Sequence, residues 1–132
     1  MKLFLLVGSI LASLSILFGA FGAHFLKEKL SSDQLVVFEI ATRYMMYHSF
    51  GLLIFGLLGY ILAEEIISTP GIMMIVGIVI FSGSLYLVSL GGFKKFGMIT
   101  PVGGVVLIAS WLTFAYNIYK PVSYTHLRAH ET

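Results

Sequence analysis

Arg43 and His48 are the side chains of this sequence best suited to chemistry. They bracket the hexapeptide Arg43-Tyr44-Met45-Met46-Tyr47-His48, at the mouth of a long apolar run. A guanidinium is a permanent cation that can grip an anion through two parallel hydrogen bonds. An imidazole can relay a proton or ligate a metal near neutral pH. On a helix, Arg43 and Tyr47 share one face at four-residue spacing, and Tyr44 and His48 share an adjacent one. His24 closes another apolar run, so two imidazoles at similar depth on consecutive helices could ligate one haem iron. No second such pair exists, and no cofactor or metal is expected. Ser82, Ser84, Tyr86 and Thr100 add hydroxyls from two further apolar runs. Together with His24, Arg43, Tyr44, Tyr47 and His48 they make up the expected polar cluster. It is a candidate site for an anion, a proton or a small solute.

The elements that carry these residues follow from composition. The 132-residue chain is 58% hydrophobic and only 11% charged, with a mean hydropathy of +0.99. Soluble proteins carry about 25% charged residues. Residues 3–23, 44–63, 66–93 and 96–119 contain no Asp, Glu, Lys or Arg. Each reaches the roughly 20 residues that cross a bilayer. The expected fold is all-α: an up-and-down bundle of four transmembrane helices over about 3–24, 32–62, 70–91 and 97–119, one domain over 1–120. A net charge of +2 without an aromatic-studded basic stripe excludes nucleic acid as a partner. The absence of cysteine excludes disulfides and thiolate metal sites.

Local signals set the boundaries. Lys2 and Ala20-Phe21-Gly22 imitate a signal peptide, but the apolar run exceeds the usual 7–15 residues, so the first helix is read as retained. Gly8 and Ala12 form one small-residue ridge, and Ser15, Gly19 and Ala23 another, spacing that admits a close neighbour helix. Ser31 with Gln34 three positions on is a capping box opening the second helix. Pro70-Gly71 is expected to open the third, leaving Glu64 and Glu65 in a loop. Gly91-Gly92 is expected to close it, Lys94-Lys95 to form the turn, and Thr100-Pro101 to start the fourth.

Lys27, Lys29, Arg43, Lys94 and Lys95 lie on one side of such a bundle, Lys2 and Lys120 on the other. Five against two predicts that segments 25–43 and 92–96 face the cytoplasm, with both termini outside. The polar residues then gather in the cytoplasmic half, with Ser9, Ser110, Thr113 and Asn117 as mild exceptions in the other. Arg43, near a helix end, can snorkel to the surface. His48 lies one turn deeper and is expected to hydrogen-bond across the bundle, a bond worth about 0.6 kcal/mol.

The tail from Pro121 to Thr132 resembles a translated sequencing-library adaptor, so it is set aside as non-native, together with the four-residue spacing of His126 and His130. Within 1–120, the motifs Gly19-Ala20-Phe21-Gly22-Ala23-His24, residues 38–48, Phe81-Ser82-Gly83-Ser84-Leu85-Tyr86 and Thr100-Pro101-Val102-Gly103-Gly104 occur in order. They resemble the YgdD/YwdK-like bacterial membrane proteins, domain of unknown function 423. Met45 stands where that pattern leads one to expect glutamine. The resemblance implies a small four-helix protein of the bacterial inner membrane and assigns no activity.

Three functions are weighed. The first is a structural or interaction bundle that packs in the bilayer against a second copy of itself or a larger membrane complex. The second is a small transporter or channel with a site near Arg43 and His48. A proton-coupled cation exporter, like the small multidrug exporters, needs a membrane-embedded carboxylate, and residues 3–23 hold none. An enzyme ranks last, because no nucleophile–base set, carboxylate pair or zinc spacing is present.

Overall fold

A computed structural model describes residues 1–120; the adaptor-like tail lies outside the described residues. The described chain is all helical: α1 (Lys2–Phe21), α2 (Ser32–Leu58), α3 (Glu64–Gly91) and α4 (Thr100–Tyr119). A π turn, Gly22–Leu26, continues α1, and a 3₁₀ turn, Lys94–Met98, precedes α4. Three stretches are long and apolar enough to cross a membrane: Lys2–Leu26, Glu64–Gly91 and Lys94–Tyr119. α2 is as long as they are. However, it carries Asp33, Glu39, Arg43, Tyr44, Tyr47 and His48 before its uninterrupted apolar stretch, 50–58.

The capping box at Ser31 forms in both directions: Gln34 N–H donates to Ser31 Oγ at 3.2 Å, and Ser31 N–H donates to Gln34 Oε1 at 3.1 Å. α2 then stops at Leu58, four residues short of the expected 62. Gly59 caps it, and residues 60–62 form tight turns whose Tyr60 and Ile61 side chains are exposed. α3 starts at Glu64 instead of Pro70. Glu64 and Glu65 occupy its first turn, where a helix N-terminus favours carboxylates. Pro70 therefore lies inside the helix. The far end of α3 closes as expected, with Gly92 in the left-handed region (φ 68°) that glycine adopts without strain.

Each helix packs antiparallel against its predecessor, and glycines set the approach. A Cβ on Gly8 would lie 2.9 Å from the Ser49 carbonyl oxygen, and one on Gly103 would overlap the Phe81 backbone. Gly22 abuts Phe38, whereas Gly19 makes only ordinary contact with Thr42. The core is built on Phe4, Met45, Leu52, Phe55, Ile67, Met74, Ile78 and Leu107, from all four helices. Side chains also reach across the diagonals: Phe18 of α1 meets Tyr86 of α3 edge-on at 5.3 Å, and Phe55 of α2 meets Trp111 of α4 at 5.5 Å.

Candidate functional site

The expected cluster divides into a hydrogen-bonded layer, a surface groove and a separate buried histidine. The layer lies toward the 26–32 and 92–99 connections. Thr42 Oγ1 donates to Phe38 O at 3.0 Å, the local bond a helical threonine makes to the preceding turn. Its single proton is thereby used, so at the 2.7 Å contact between the two hydroxyls Tyr86 must be the donor. Ser82 Oγ donates across the same interface to Ala41 O at 2.8 Å. The same reasoning assigns the third pair. Ser84 Oγ donates to Phe81 O at 3.0 Å, so Thr100 donates to Ser84 at 2.5 Å. Three helices are thus tied at one level, and Phe18 and Phe38 close over the Tyr86 ring at 5.3 and 5.2 Å. Ser82, Ser84, Tyr86 and Thr100 belong to this layer as the sequence suggests.

Thr42 was not among the expected residues, although it is central to the layer. It lies inside the 38–48 motif. The usable signal is a hydroxyl-bearing residue on the turn before Arg43, on a helix whose neighbour carries tyrosine.

The charged and imidazole residues are elsewhere. Arg43 is exposed and lines a groove of about 250 Å³ between Gly19, Gly22 and Ala23 on one side and Glu39, Thr42 and Arg43 on the other. Tyr44 and Tyr47 are 39% and 53% exposed and pack on one another at 5.5 Å.

His48 is buried but does not bond across the bundle. Its Nδ1 lies 2.8 Å from the Tyr44 carbonyl one turn back on its own helix. A carbonyl only accepts, so Nδ1 carries the proton and Nε2 is left as the acceptor. The ring stacks on Tyr44 (6.3 Å, 19°) and approaches Trp111 of α4 at 6.0 Å. The expectation of similar depth for the two histidines also fails. Gly22 on the π turn faces Phe38, while Gly8 faces Ser49. His48 is therefore ten residues, about 15 Å, further along α2 than the level of Gly22. His24 is exposed on that turn. The two imidazoles do not share a site.

The opposite end of the bundle is more polar in function than its composition implies. Proline has no N–H to give the carbonyl four residues back, and at Pro70 that carbonyl is Ile66. Asn117 Nδ2 of α4 donates to Ile66 O at 3.2 Å, and Ser110 Oγ donates to Pro70 O at 2.7 Å. Two residues set down as mild exceptions therefore hold α4 against the prolyl segment of α3.

A family described as "Protein of unknown function (DUF423)" matches residues 18–104. The chain belongs to the DUF423 family. Among curated relatives, the UPF0382 membrane protein YwdK of Bacillus subtilis is 42% identical over 121 residues, covering 91% of this chain and 98% of that protein. A UPF0382 membrane protein of Staphylococcus saprophyticus is 42% identical over 120 residues (91% and 99%), and one of Staphylococcus epidermidis is 43% identical over 120 (91% and 98%). No solved structure matches significantly. The DUF423 chain is thus an integral membrane protein of a family without an assigned activity. The matched span contains the whole layer from Phe18 to Thr100, together with Gly103. Ser110 and Asn117 lie beyond it. In this DUF423 protein Met45, at the position where glutamine is expected, is only 4% exposed and sits in the apolar core.

Proposed function

We propose that the protein is a four-span component of the bacterial inner membrane whose hydroxyl layer fixes helix register, and that it acts by packing, with a second copy or a larger membrane complex, and not as an enzyme. One observation carries this reading. Among the described residues, no buried side-chain nitrogen or oxygen is without a hydrogen-bond partner. A layer whose hydroxyl protons are all donated internally has none free to donate to a solute, and a satisfied polar network specifies one arrangement of helices. α2 supplies the fourth crossing in this reading, with Arg43 snorkelling to the surface from one flank. The excess of Lys and Arg in 25–43 and 92–96 supports a cytoplasmic position for both connections.

A transport site shared by Arg43 and His48 has less support, because Arg43 opens to the α1 groove and His48 packs toward α4. Thiol accessibility separates the readings, since the chain has no cysteine of its own. Ser84→Cys in intact vesicles should resist a membrane-impermeant maleimide from both sides, while Lys94→Cys should react only from the cytoplasmic side. Rapid labelling of Ser84→Cys would show a water path into the layer and overturn the packing reading.

A further inference from the structure

The groove beside Arg43 holds a pair of opposite charges at the flank of the bundle that the packing does not consume. Glu39 and Arg43 are one turn apart on α2, in the order that favours an ion pair along a helix. Among the described residues, however, no ion pair or hydrogen bond engages either side chain. Both instead line the groove of about 250 Å³ against Gly19, Gly22 and Ala23. The remaining polar neighbour, Thr42, has its hydroxyl committed to Phe38 and Tyr86.

The depth of this groove is that of lipid headgroups. It lies at the end of α1 where the helix loosens into the π turn, with Lys27 and Lys29 just beyond. Tyr44 beside Arg43 and Tyr47 one turn further on, both exposed, are the amphipathic rings that settle at membrane interfaces. Phe21 and Phe25, stacked at 5.2 Å and 42% and 60% exposed, continue the α1 side as an apolar surface suited to an acyl chain.

The two charges restrict the chemistry. A simple anion meets the Glu39 carboxylate, and a simple cation meets Arg43. A ligand with phosphate and primary ammonium a short distance apart satisfies both. The guanidinium donates two hydrogen bonds to phosphate oxygens, and an ammonium offers N–H donors to the carboxylate. We propose that this groove is a binding site for the headgroup of an aminophospholipid, its phosphate on Arg43, its ammonium on Glu39 and its chains along Phe21 and Phe25. The site requires the chain to be in the bilayer and does not depend on the role of the hydroxyl layer.

The test is thermal unfolding of the detergent-purified full chain at fixed lipid-to-protein ratio, with lipid retention read in parallel by native mass spectrometry. The probes are phosphatidylethanolamine, phosphatidylcholine, phosphatidylglycerol and the chain-free glycerophosphoethanolamine. Phosphatidylethanolamine should raise the melting temperature by several degrees more than the other three. Phosphatidylcholine falls short because its quaternary ammonium has no N–H to donate. Arg43→Gln should abolish the increment, and Glu39→Gln should reduce it to the phosphatidylcholine level. Both side chains are exposed, so the lipid-free melting temperatures of the variants should equal that of the wild type. An equal response to phosphatidylethanolamine and phosphatidylglycerol, or an increment that survives Glu39→Gln, would overturn the proposal. A full response to glycerophosphoethanolamine would assign the site to a soluble ligand and equally overturn the lipid assignment.

Discussion

Tyr86 holds the hydroxyl layer together, because it is the only member that donates between α2 and α3 through a side chain on both ends. Tyr86→Phe removes the donor while keeping the ring that Phe18 and Phe38 contact. Hydrogen bonds between membrane helices average about 0.6 kcal/mol and reach about 1.7, so a loss of this size is expected in reversible unfolding from detergent micelles. Asn117 gives a sharper case. Asn117→Leu strips the Ile66 carbonyl of its donor, a cost of about 1–3 kcal/mol for a buried acceptor. Pro70→Ala restores a backbone N–H to that carbonyl. In the Pro70→Ala background Asn117→Leu should therefore cost clearly less, and a double-mutant cycle on unfolding free energies measures the difference. Equal costs in both backgrounds would show that proline and asparagine are independent. The four hydroxyl members of the layer were readable from their place in apolar runs. Thr42 and Asn117 were not, because each is defined by a partner 44 or 51 residues away, and one sequence carries no mark of such pairings. His48 was misplaced for a simpler reason: the first carbonyl within its reach lies on its own helix.

At the scale of the elements, the signals confined to a few consecutive residues were legible. The Ser31 box, the Gly91-Gly92 stop and the Thr100-Pro101 start all act within one helical turn. Pro70 misled because its usual effect, ending or opening a helix, is offset by a donor on another helix. Glu64 and Glu65 then extend α3 to its true start. Close approach between elements is equally testable. At Gly103 any side chain meets the Phe81 backbone, which cannot swing aside as a side-chain tip can. Gly103→Val should push α4 off α3, break the Ser84–Thr100 pair and lower the yield of monodisperse protein on size exclusion. Gly83 has open space around it, so Gly83→Ala should be tolerated and gain about 1 kcal/mol of helix propensity at most. Monodispersity and melting temperature of the two variants measure both expectations.

For the molecule as a whole, each helix packs mainly along the one before it, and single side chains such as Phe4 against Gly71 and Trp111 against Gly51 bridge the diagonals. The α1–α2 contact is complete once Leu58 exists, the α2–α3 contact once Gly91 exists, and α4 adds itself last. Few pairings of high sequence separation must wait for one another, and low contact order of this kind favours fast assembly. A ribosome delivers about 5–20 residues per second, so each hairpin can dock as it leaves the insertion machinery. A nascent chain arrested with residue 99 just inserted should already bury Ser82 and Tyr86 against α2, which cysteine protection on arrested chains would register. The exception is the prolyl stretch of α3. Until Asn117 arrives, its carbonyl at 66 depends on a borrowed partner, such as water or a lipid headgroup. α4 thus acts as an intramolecular chaperone for its predecessor, and α3 matures only when synthesis of the bundle is nearly done.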